Sequence, residues 1–222
     1  MKQILDLYNR IPYHNRAHAR DTEVYLWRMD LRSKSQLLAA FGHDAGHTGT
    51  PTVWDEARSA IIATTCARIY DILKNPSEFR ETESMILWTV FKNRVSLTGN
   101  QLFLADADVA AVGDSFAIHT KNAARLFIEH CFSKWKVHPS RKDVLDFWSI
   151  SQEGFYKYLT DITGNLDRPF LTEKAQELYP KFPHIRDQVR ETLLKNPKKL
   201  IDIVRKEWLL FWERPLILEE EL

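Results

Sequence analysis

The sequence predicts an all-α fold, and three observations support this prediction. Glycine is sparse, with seven residues among 222. The prolines fall mostly between apolar segments, where they are typical of breaks between helices rather than of turns between short strands. Within those segments apolar residues recur every three or four positions, as at Ile62, Cys66 and Ile69, which is the spacing of an amphipathic helix.

In the first half of the chain the same spacing predicts helices near 14–31, 34–46, 54–74, 78–93 and 100–111. Leu37 and Phe41, for example, share one face of the second of these helices. The start of the fourth is marked by Ser77 and Glu78 after Asn75-Pro76, which place a cap and an early negative charge there.

In the second half, helices are predicted near 114–134, near 140–163 and, with breaks, over 171–213. Ser140, followed three residues later by Asp143, resembles a capping box. Ile201, Val204 and Trp208 then form an apolar stripe at helical spacing.

Composition describes an ordinary globular protein, with 44% apolar and 27% charged residues. At this length we expect a single helical domain over 1–222, with the motif core at 13–158 and the C-terminal helices of 171–213 packed on it.

A net charge of +1 provides no broad attraction to duplex nucleic acid or to an anionic membrane. Two cysteines cannot form a disulfide framework, and the sequence shows no signal peptide and no apolar run of membrane-spanning length. We therefore expect a cytoplasmic protein. The sequence leaves its oligomeric state open.

Three clusters contain residue types that commonly bind metals: Tyr13-His14-Asn15-Arg16-Ala17-His18, His43-Asp44-Ala45-Gly46-His47 and Asp106-Ala107-Asp108-Val109. In the first cluster, two histidines are four residues apart and share a face if they lie on a helix. In the third cluster, two carboxylates lie inside an apolar run, where an unpaired charge costs several kcal/mol and a bound cation removes that cost.

Imidazoles together with carboxylates suit a borderline divalent ion such as zinc, whereas a neighbouring position lined mostly by oxygen suits magnesium or manganese. Such an ion lowers the pKa of a bound water from about 15.7 to about 7 and so provides the hydroxide that a phosphoester hydrolase needs. The leaving oxygen also needs a proton, and a histidine beside the ion can donate it. His14 is the candidate for that role.

The order of histidine, His-Asp pair and distant aspartate resembles the HD superfamily of metal-dependent phosphohydrolases, and the motifs are closest to the class I cyclic nucleotide phosphodiesterases. That family's Tyr-His-Asn-x-x-His-Ala is matched by residues 13–19, and its His-Asp-x-x-His-x-Gly by residues 43–49. Its Ala-Asp-Leu is similar to residues 107–109, and its Ser-Gln-x-Gly-Phe-x-x-Tyr is matched by residues 151–158.

The resemblance implies an HD-type helical bundle around a metal site, with a cyclic nucleotide as the favoured substrate. Asp44 would bridge the tight ion, of zinc, iron or manganese type, to a weaker magnesium or manganese ion, and His14 would protonate the leaving oxygen. The tight-ion ligands would be His18, His43, Asp44 and Asp108; His47 and Glu56 would hold metal-bound waters; Tyr13, Gln152 and Phe155 would bind the nucleotide.

Several alternatives remain open from the sequence. Asp106 rather than Asp108 can be the ligand, and the substrate can be another phosphoester, such as a nucleoside monophosphate. A non-catalytic nucleotide-binding HD module has the same motifs without turnover. An HD-type di-iron oxygenase needs further histidines, and the sequence has none between His47 and His119.

Overall fold

The computed structural model describes residues 2–89, 96–134, 136 and 138–221. These residues form helices and their connections, and no strand occurs in these ranges, so the all-α prediction is confirmed. The end of the helix predicted near 78–93 lies outside the described residues from position 90 onward. None of the described helices combines the length and the apolar character needed to cross a membrane.

Helices overlap each predicted stretch, and two short helices, one at residues 2–5 and one at residues 111–114, were not predicted. In the first part of the chain they are α1 (Lys2–Leu5), α2 (Arg16–Arg28), α3 (Lys34–Gly42), α4 (Asp55–Ile69), α5 (Pro76–Leu87) and α6 (Asn100–Val109). They continue as α7 (Ala111–Asp114), α8 (Phe116–Ser133), α9 (Arg141–Asp146), a π-helical turn (Phe147–Ser151), α10 (Gln152–Thr163), α11 (Glu173–Leu178), α12 (Phe182–Lys195), α13 (Pro197–Trp212) and a final 3₁₀ turn (Glu219–Glu221).

Contacts divide the chain into two compact units. The first unit is Met1–Ala110 with Leu171–Leu178, and the second unit is Ala111–Phe170 with Tyr179–Leu222. The expectation of a single domain stays a prediction.

In the first unit, α3 is the central helix and packs against α1, α2, α4, α5 and α6. Its start is a capping box: the backbone N–H of Gln36 donates to the Ser33 hydroxyl at 3.3 Å, and the Gln36 side chain accepts from the Ser33 N–H at 2.9 Å. A Cβ at Gly42, the last residue of α3, would lie 2.6 Å from the Cβ of Ala63 on α4. Glycine there lets the two helices approach closely, and this contact positions the segment that follows α3.

In the second unit, α8 and α13 pack together around an apolar core that includes Phe127, Trp148 and Trp208. The predicted capping box at Ser140 and Asp143 is confirmed, with the Asp143 N–H donating to the Ser140 hydroxyl at 3.0 Å. The helix predicted over 140–163 is present as α9, the π-helical turn and α10.

Candidate metal centre

The first histidine of the centre, His18, lies in the first turn of α2. The side-chain oxygen of Asn15 accepts from the N–H groups of Ala17 at 2.8 Å and of His18 at 3.3 Å, which makes Asn15 the N-cap. The helix therefore begins at Arg16, two residues after the predicted start. The expectation that both histidines of this motif lie on one helix is wrong for His14, which precedes the cap.

The His-Asp pair lies in the turn that follows α3, because the helix ends at Gly42 rather than at the predicted residue 46. The Nδ1 of His43 donates to the carbonyl of Ala40 at 2.8 Å, which leaves Nε2 unprotonated and available as a ligand in the neutral ring. A Cβ at Gly46 would lie 2.6 Å from the backbone nitrogen of Ser59, and the Gly46 N–H donates to the Ser59 hydroxyl at 2.9 Å. Glycine at this position thus lets the turn rest directly on α4.

The two aspartates of α6 have different surroundings. Asp106 is fully buried, and its carboxylate accepts from the Leu171 N–H at 2.9 Å, the Thr172 N–H at 2.7 Å and the Thr172 hydroxyl at 2.8 Å. Those contacts hold the segment that leads into α11. Asp108 faces the histidines instead, so the group of side chains that could hold a metal ion contains Asp108 and not Asp106.

Four side chains converge in the first unit: His18, His43, Asp44 and Asp108. The Nε2 of His18 lies 2.9 Å from Oδ1 of Asp108 and 3.3 Å from Oδ2 of Asp44. The Nε2 of His43 lies 3.0 Å from the same Asp44 oxygen and 3.4 Å from the same Asp108 oxygen. The two imidazole nitrogens are 3.3 Å apart.

These separations match the edges of a coordination polyhedron. Two ligand atoms about 2.0 to 2.1 Å from one ion lie about 2.8 to 3.4 Å apart when the angle between them is from 90° to tetrahedral. All the separations above fall within that range. The site therefore has the donor types and the spacing required to hold a divalent ion, and they leave the type of metal open.

The charged groups of the cluster also favour the presence of a cation. Burial on its own raises the pKa of Asp44, but His43, His47 and His14 lower it well below its usual value. Burial on its own lowers the pKa of His43, but Asp44 and Asp108 raise it well above its usual value. The carboxylates thus favour positive charge at the imidazoles, supplied by protons or by a metal ion that replaces them.

The remaining residues of the first two motifs lie beside this cluster. The Tyr13 ring centre is 4.6 Å from that of His18 and 4.8 Å from that of His14. His14 and His47 form a second group with Asp44. The proton-donor role of His14, the water-binding role of His47 and the substrate contact of Tyr13 stay predictions.

The sequence predicts that Glu56 holds metal-bound waters, but the preceding residue, Asp55, is the more buried of the two. Asp55 is 3% exposed and accepts from the Thr52 N–H at 2.8 Å and the Thr52 hydroxyl at 2.9 Å. Burial lowers the pKa of His47, whereas the charges of Asp44 and Asp55 oppose this shift. Asp55 is the first residue of α4, and these hydrogen bonds close the turn that precedes the helix. Glu56 is half-buried in the same turn, and its role stays a prediction.

Two residues before the first motif support the turn that follows α3. The Tyr8 hydroxyl donates to the carbonyl of Phe41 at 2.9 Å, and the Asn9 side-chain amide donates to the carbonyl of His47 at 2.5 Å. No local pattern marks either residue, because their partners lie more than thirty positions away.

The residues predicted to bind a base belong to the second unit. Gln152 is 3% exposed at the start of α10, and Phe155 is half-buried on the same helix. Their role in nucleotide binding stays a prediction.

Comparison with family models, with curated proteins and with solved structures gives no match to this chain. The resemblance to HD-type phosphohydrolases therefore rests on the motif residues alone, and the metal-ligand geometry stands independently of it.

Proposed function

We propose that this protein is a metal-dependent phosphohydrolase, with a 3′,5′-cyclic nucleotide as its favoured substrate. The observation that supports the proposal is the convergence of His18, His43, Asp44 and Asp108 from three separate stretches of the chain at the spacing of metal ligands. The motif resemblance supports the choice of phosphoester chemistry and of a nucleotide.

The four side chains differ in the fraction of their surface that is exposed to solvent. Those of His43, His18 and Asp44 are 1%, 6% and 7% exposed, whereas that of Asp108 is 26% exposed. Asp108 is therefore the ligand candidate most accessible to solvent, and the proposal has a phosphoester approach from its side. An accessible position next to the ligands is what separates a catalytic from a closed structural metal site.

A divalent ion held by these residues would lower the pKa of a bound water, to about 7 in the case of zinc, and would polarise a phosphoryl oxygen. The protein's contribution is to hold the donor atoms in place before the substrate arrives. The Ala40 carbonyl holds the ring of His43 through Nδ1 at 2.8 Å, and the Asn15 cap holds the turn that carries His18. The resemblance assigns protonation of the leaving oxygen to His14.

A metal and substrate panel tests this proposal. Purified protein is stripped with a chelator, reloaded with zinc, manganese or magnesium, and assayed against cyclic nucleotides, nucleoside monophosphates and bis(p-nitrophenyl) phosphate. We expect turnover only in the reloaded protein. Full hydrolysis of cyclic nucleotides by the stripped protein would falsify the proposal, and turnover of monophosphates alone would replace the favoured substrate with the other phosphoester class.

Two substitutions link activity to the proposed ligands. His18→Ala and Asp108→Ala should each lose metal affinity and turnover together by more than about 100-fold, because removing a ligand costs more than removing one of its outer partners. Asp106→Asn is the matched control, since that carboxylate lies on the same helix and binds backbone N–H groups instead. Asp106→Asn should keep its bound metal.

A further inference from the structure

A cavity of about 210 Å³ lies within the second unit of the protein. It is lined by residues of α8, of α9 and of the π-helical turn, together with Lys134 and Lys136, which follow α8. None of its lining residues belongs to the candidate metal centre. What the cavity binds is therefore a separate question from the proposed function.

The buried part of the cavity wall is apolar and uncharged. Phe127, Cys131 and Phe147 line it and are all buried. The ring centres of the two phenylalanines are 5.3 Å apart. Burial raises the pKa of the Cys131 thiol to about 12, so this thiol is neutral at physiological pH. Two aromatic rings and a neutral thiol form a surface that suits an apolar ring of a ligand.

The charged side chains around the cavity leave one positive charge without a partner. The Nζ of Lys136 donates to the carboxylate of Asp143 at 2.7 Å, and Lys142 pairs with Asp146, so both carboxylates are compensated. Within the described part of the chain, the ammonium of Lys134 has neither an ion pair nor a hydrogen bond. An anion beside this ammonium would gain a charge-assisted hydrogen bond.

The ring of His130, which also lines the cavity, responds to the same charges. Burial lowers the pKa of His130, and the charges of Lys134 and Lys136 lower it further, whereas Asp143 opposes them. The two lysines outweigh the carboxylate, so the electrostatic potential at this ring is positive. A ring N–H of His130 is a second donor for an anion at this end of the cavity.

The π-helical turn provides an independent observation. The N–H of Gln152 donates to the carbonyl of Phe147, five residues earlier, which is the hydrogen bond of a π-helix. Such turns are rare and occur frequently at functional sites. Phe147 and Ile150 of this turn lie in the cavity wall, and Ile150 is 66% exposed. A ligand in the cavity would cover part of this exposed apolar side chain and would gain from its burial.

We propose that this cavity binds a small organic anion with a single aromatic ring, whose ring lies against Phe127, Phe147 and Ile150 and whose anionic group lies at Lys134 and His130. The size of the cavity limits the ligand class. A cavity of about 150 Å³ holds a benzene molecule, whereas pockets for drug-sized ligands have roughly 300 Å³ or more. At about 210 Å³ the cavity has room for one ring with one carboxylate or phosphate group, and a whole nucleotide is too large for it.

Titration of the full-length protein with three fluorinated rings of equal size tests the proposal. The probes are 4-fluorobenzoate, the neutral 4-fluorobenzamide and the cationic 4-fluorobenzylamine, and binding is followed by ¹⁹F NMR. We expect saturable binding of the benzoate with a Kd between about 0.01 and 1 mM. The amide and the amine should bind at least about 10-fold more weakly, because neither can accept from Lys134 as an anion does.

Equal affinity for all three rings would show an apolar cavity without selectivity for anions, and no saturable binding of the benzoate would show no site at all. Either result would overturn the inference. Competition with phenyl phosphate distinguishes the two sources of the anionic group. Displacement of the bound benzoate assigns the site to aryl phosphates as well as to aryl carboxylates, and no displacement restricts it to carboxylates.

The two cysteines report where the ligand binds. Cys131 lines the cavity, whereas Cys66 belongs to an apolar core of the first unit and is the internal reference. Iodoacetamide labelling of both thiols is followed by peptide mass spectrometry. At about ten times its Kd, 4-fluorobenzoate should slow the labelling of Cys131 by about 10-fold, and by more than that of Cys66. Unchanged labelling of Cys131 would place the ligand elsewhere and contradict the assignment.

Substitutions of two exposed lining residues test the contacts without disturbing the core. Lys134→Ala should weaken benzoate binding by about 10-fold or more and leave binding of the amide unchanged. Ile150→Ser should weaken binding of both probes by about 5-fold. The matched controls are Lys121→Ala, at an exposed lysine of α8, and Leu166→Ser, at an exposed leucine, and neither residue lines the cavity. Wild-type affinity for the benzoate in Lys134→Ala would overturn the inference.

Discussion

Histidine is buried in both units of the protein, and two of the buried examples have opposite surroundings. His43, in the first unit, is 1% exposed and faces the carboxylates of Asp44 and Asp108. Burial would lower its pKa, but the two carboxylates raise it well above its usual value. His119, in the second unit, is 3% exposed, and its Nε2 lies 2.5 Å from the hydroxyl of Tyr156. Burial lowers the pKa of His119 to about 4.

The difference separates a candidate ligand histidine from a structural one. Both rings are buried, so burial alone decides nothing. The ring of His119 shares a hydrogen bond with a neutral hydroxyl and stays uncharged, whereas the ring of His43 lies among carboxylates that require a positive charge. The aspartates of α6 repeat the contrast, because Asp106 accepts from three protein donors and Asp108 faces two imidazoles.

Metal loading should give the largest effect on stability, and it should act only through the cluster that contains His43. At about 1,000 times its dissociation constant, an ion that binds only the folded protein raises the free energy of unfolding by about 4 kcal/mol. Urea denaturation of chelator-treated and zinc-loaded protein measures this change. An equal gain in Asp108→Ala would contradict the assignment, since that variant lacks a ligand.

The same loading should release protons. Because the carboxylates raise the pKa of His43, its ring carries a proton in the metal-free protein up to a higher pH than usual, and the ion has to displace that proton. Metal affinity should therefore fall as the pH is lowered. Titration calorimetry in two buffers of different ionisation enthalpy measures the proton release, and an affinity independent of pH would argue against protonated ligands.

His119 provides the next largest effect, and it concerns acid stability. With a folded pKa of about 4 and an unfolded pKa of about 6.5, the folded protein binds fewer protons than the unfolded chain between these values. The resulting penalty is absent above pH 6.5, grows as the pH falls, and reaches about 3 kcal/mol below pH 4. His119→Gln keeps a neutral hydrogen-bonding group, so its stability should fall less with acid than that of the wild type. Parallel losses in both proteins between pH 6.5 and 4.5 would show that this ring is not buried uncharged.

Asp106→Asn tests whether this carboxylate is structural. The change removes a charged acceptor from the N–H groups of Leu171 and Thr172 and brings an amide donor against one of them. We expect a loss of about 2 kcal/mol in the free energy of unfolding, the usual range for hydrogen bonds to a charged group. Metal content should remain that of the wild type. A variant of normal stability that no longer binds metal would reverse the assignments of Asp106 and Asp108.

Tyr8→Phe should give the smallest effect. The variant loses the hydrogen bond to the Phe41 carbonyl and keeps the ring, so we expect a loss of about 1 kcal/mol. Because the bond lies at the end of α3, metal affinity should fall by no more than about 10-fold, the lower range for groups that support ligands. Thermal denaturation and Mn²⁺ titration measure the two quantities. A loss of affinity as large as that of His18→Ala would make Tyr8 part of the centre itself.

Much of the fold was predictable from the sequence, because helix spacing and capping depend on residues close together in the chain. The all-α class, the order of the helices and the capping box at Ser140 and Asp143 all follow from such local patterns. The boundaries were predicted less accurately. The start of α2 at Arg16 is set by its neighbour Asn15, a local cap that the predicted start near 14 overlooked. The end of α3 at Gly42 left no local signal, because the turn that follows rests on α4, a distant partner.

The sequence by itself determined which residue types were available for metal binding and in what order they occur. Only the tertiary structure decided which of them meet: that Asp108 and not Asp106 joins the two histidines, and that the two oxygens of Asp44 face different imidazoles. The physical reason is that a coordination site depends on separations of a few ångströms between atoms that are up to ninety residues apart in the chain. Those separations are set by helix packing, which residue spacing along the chain does not encode.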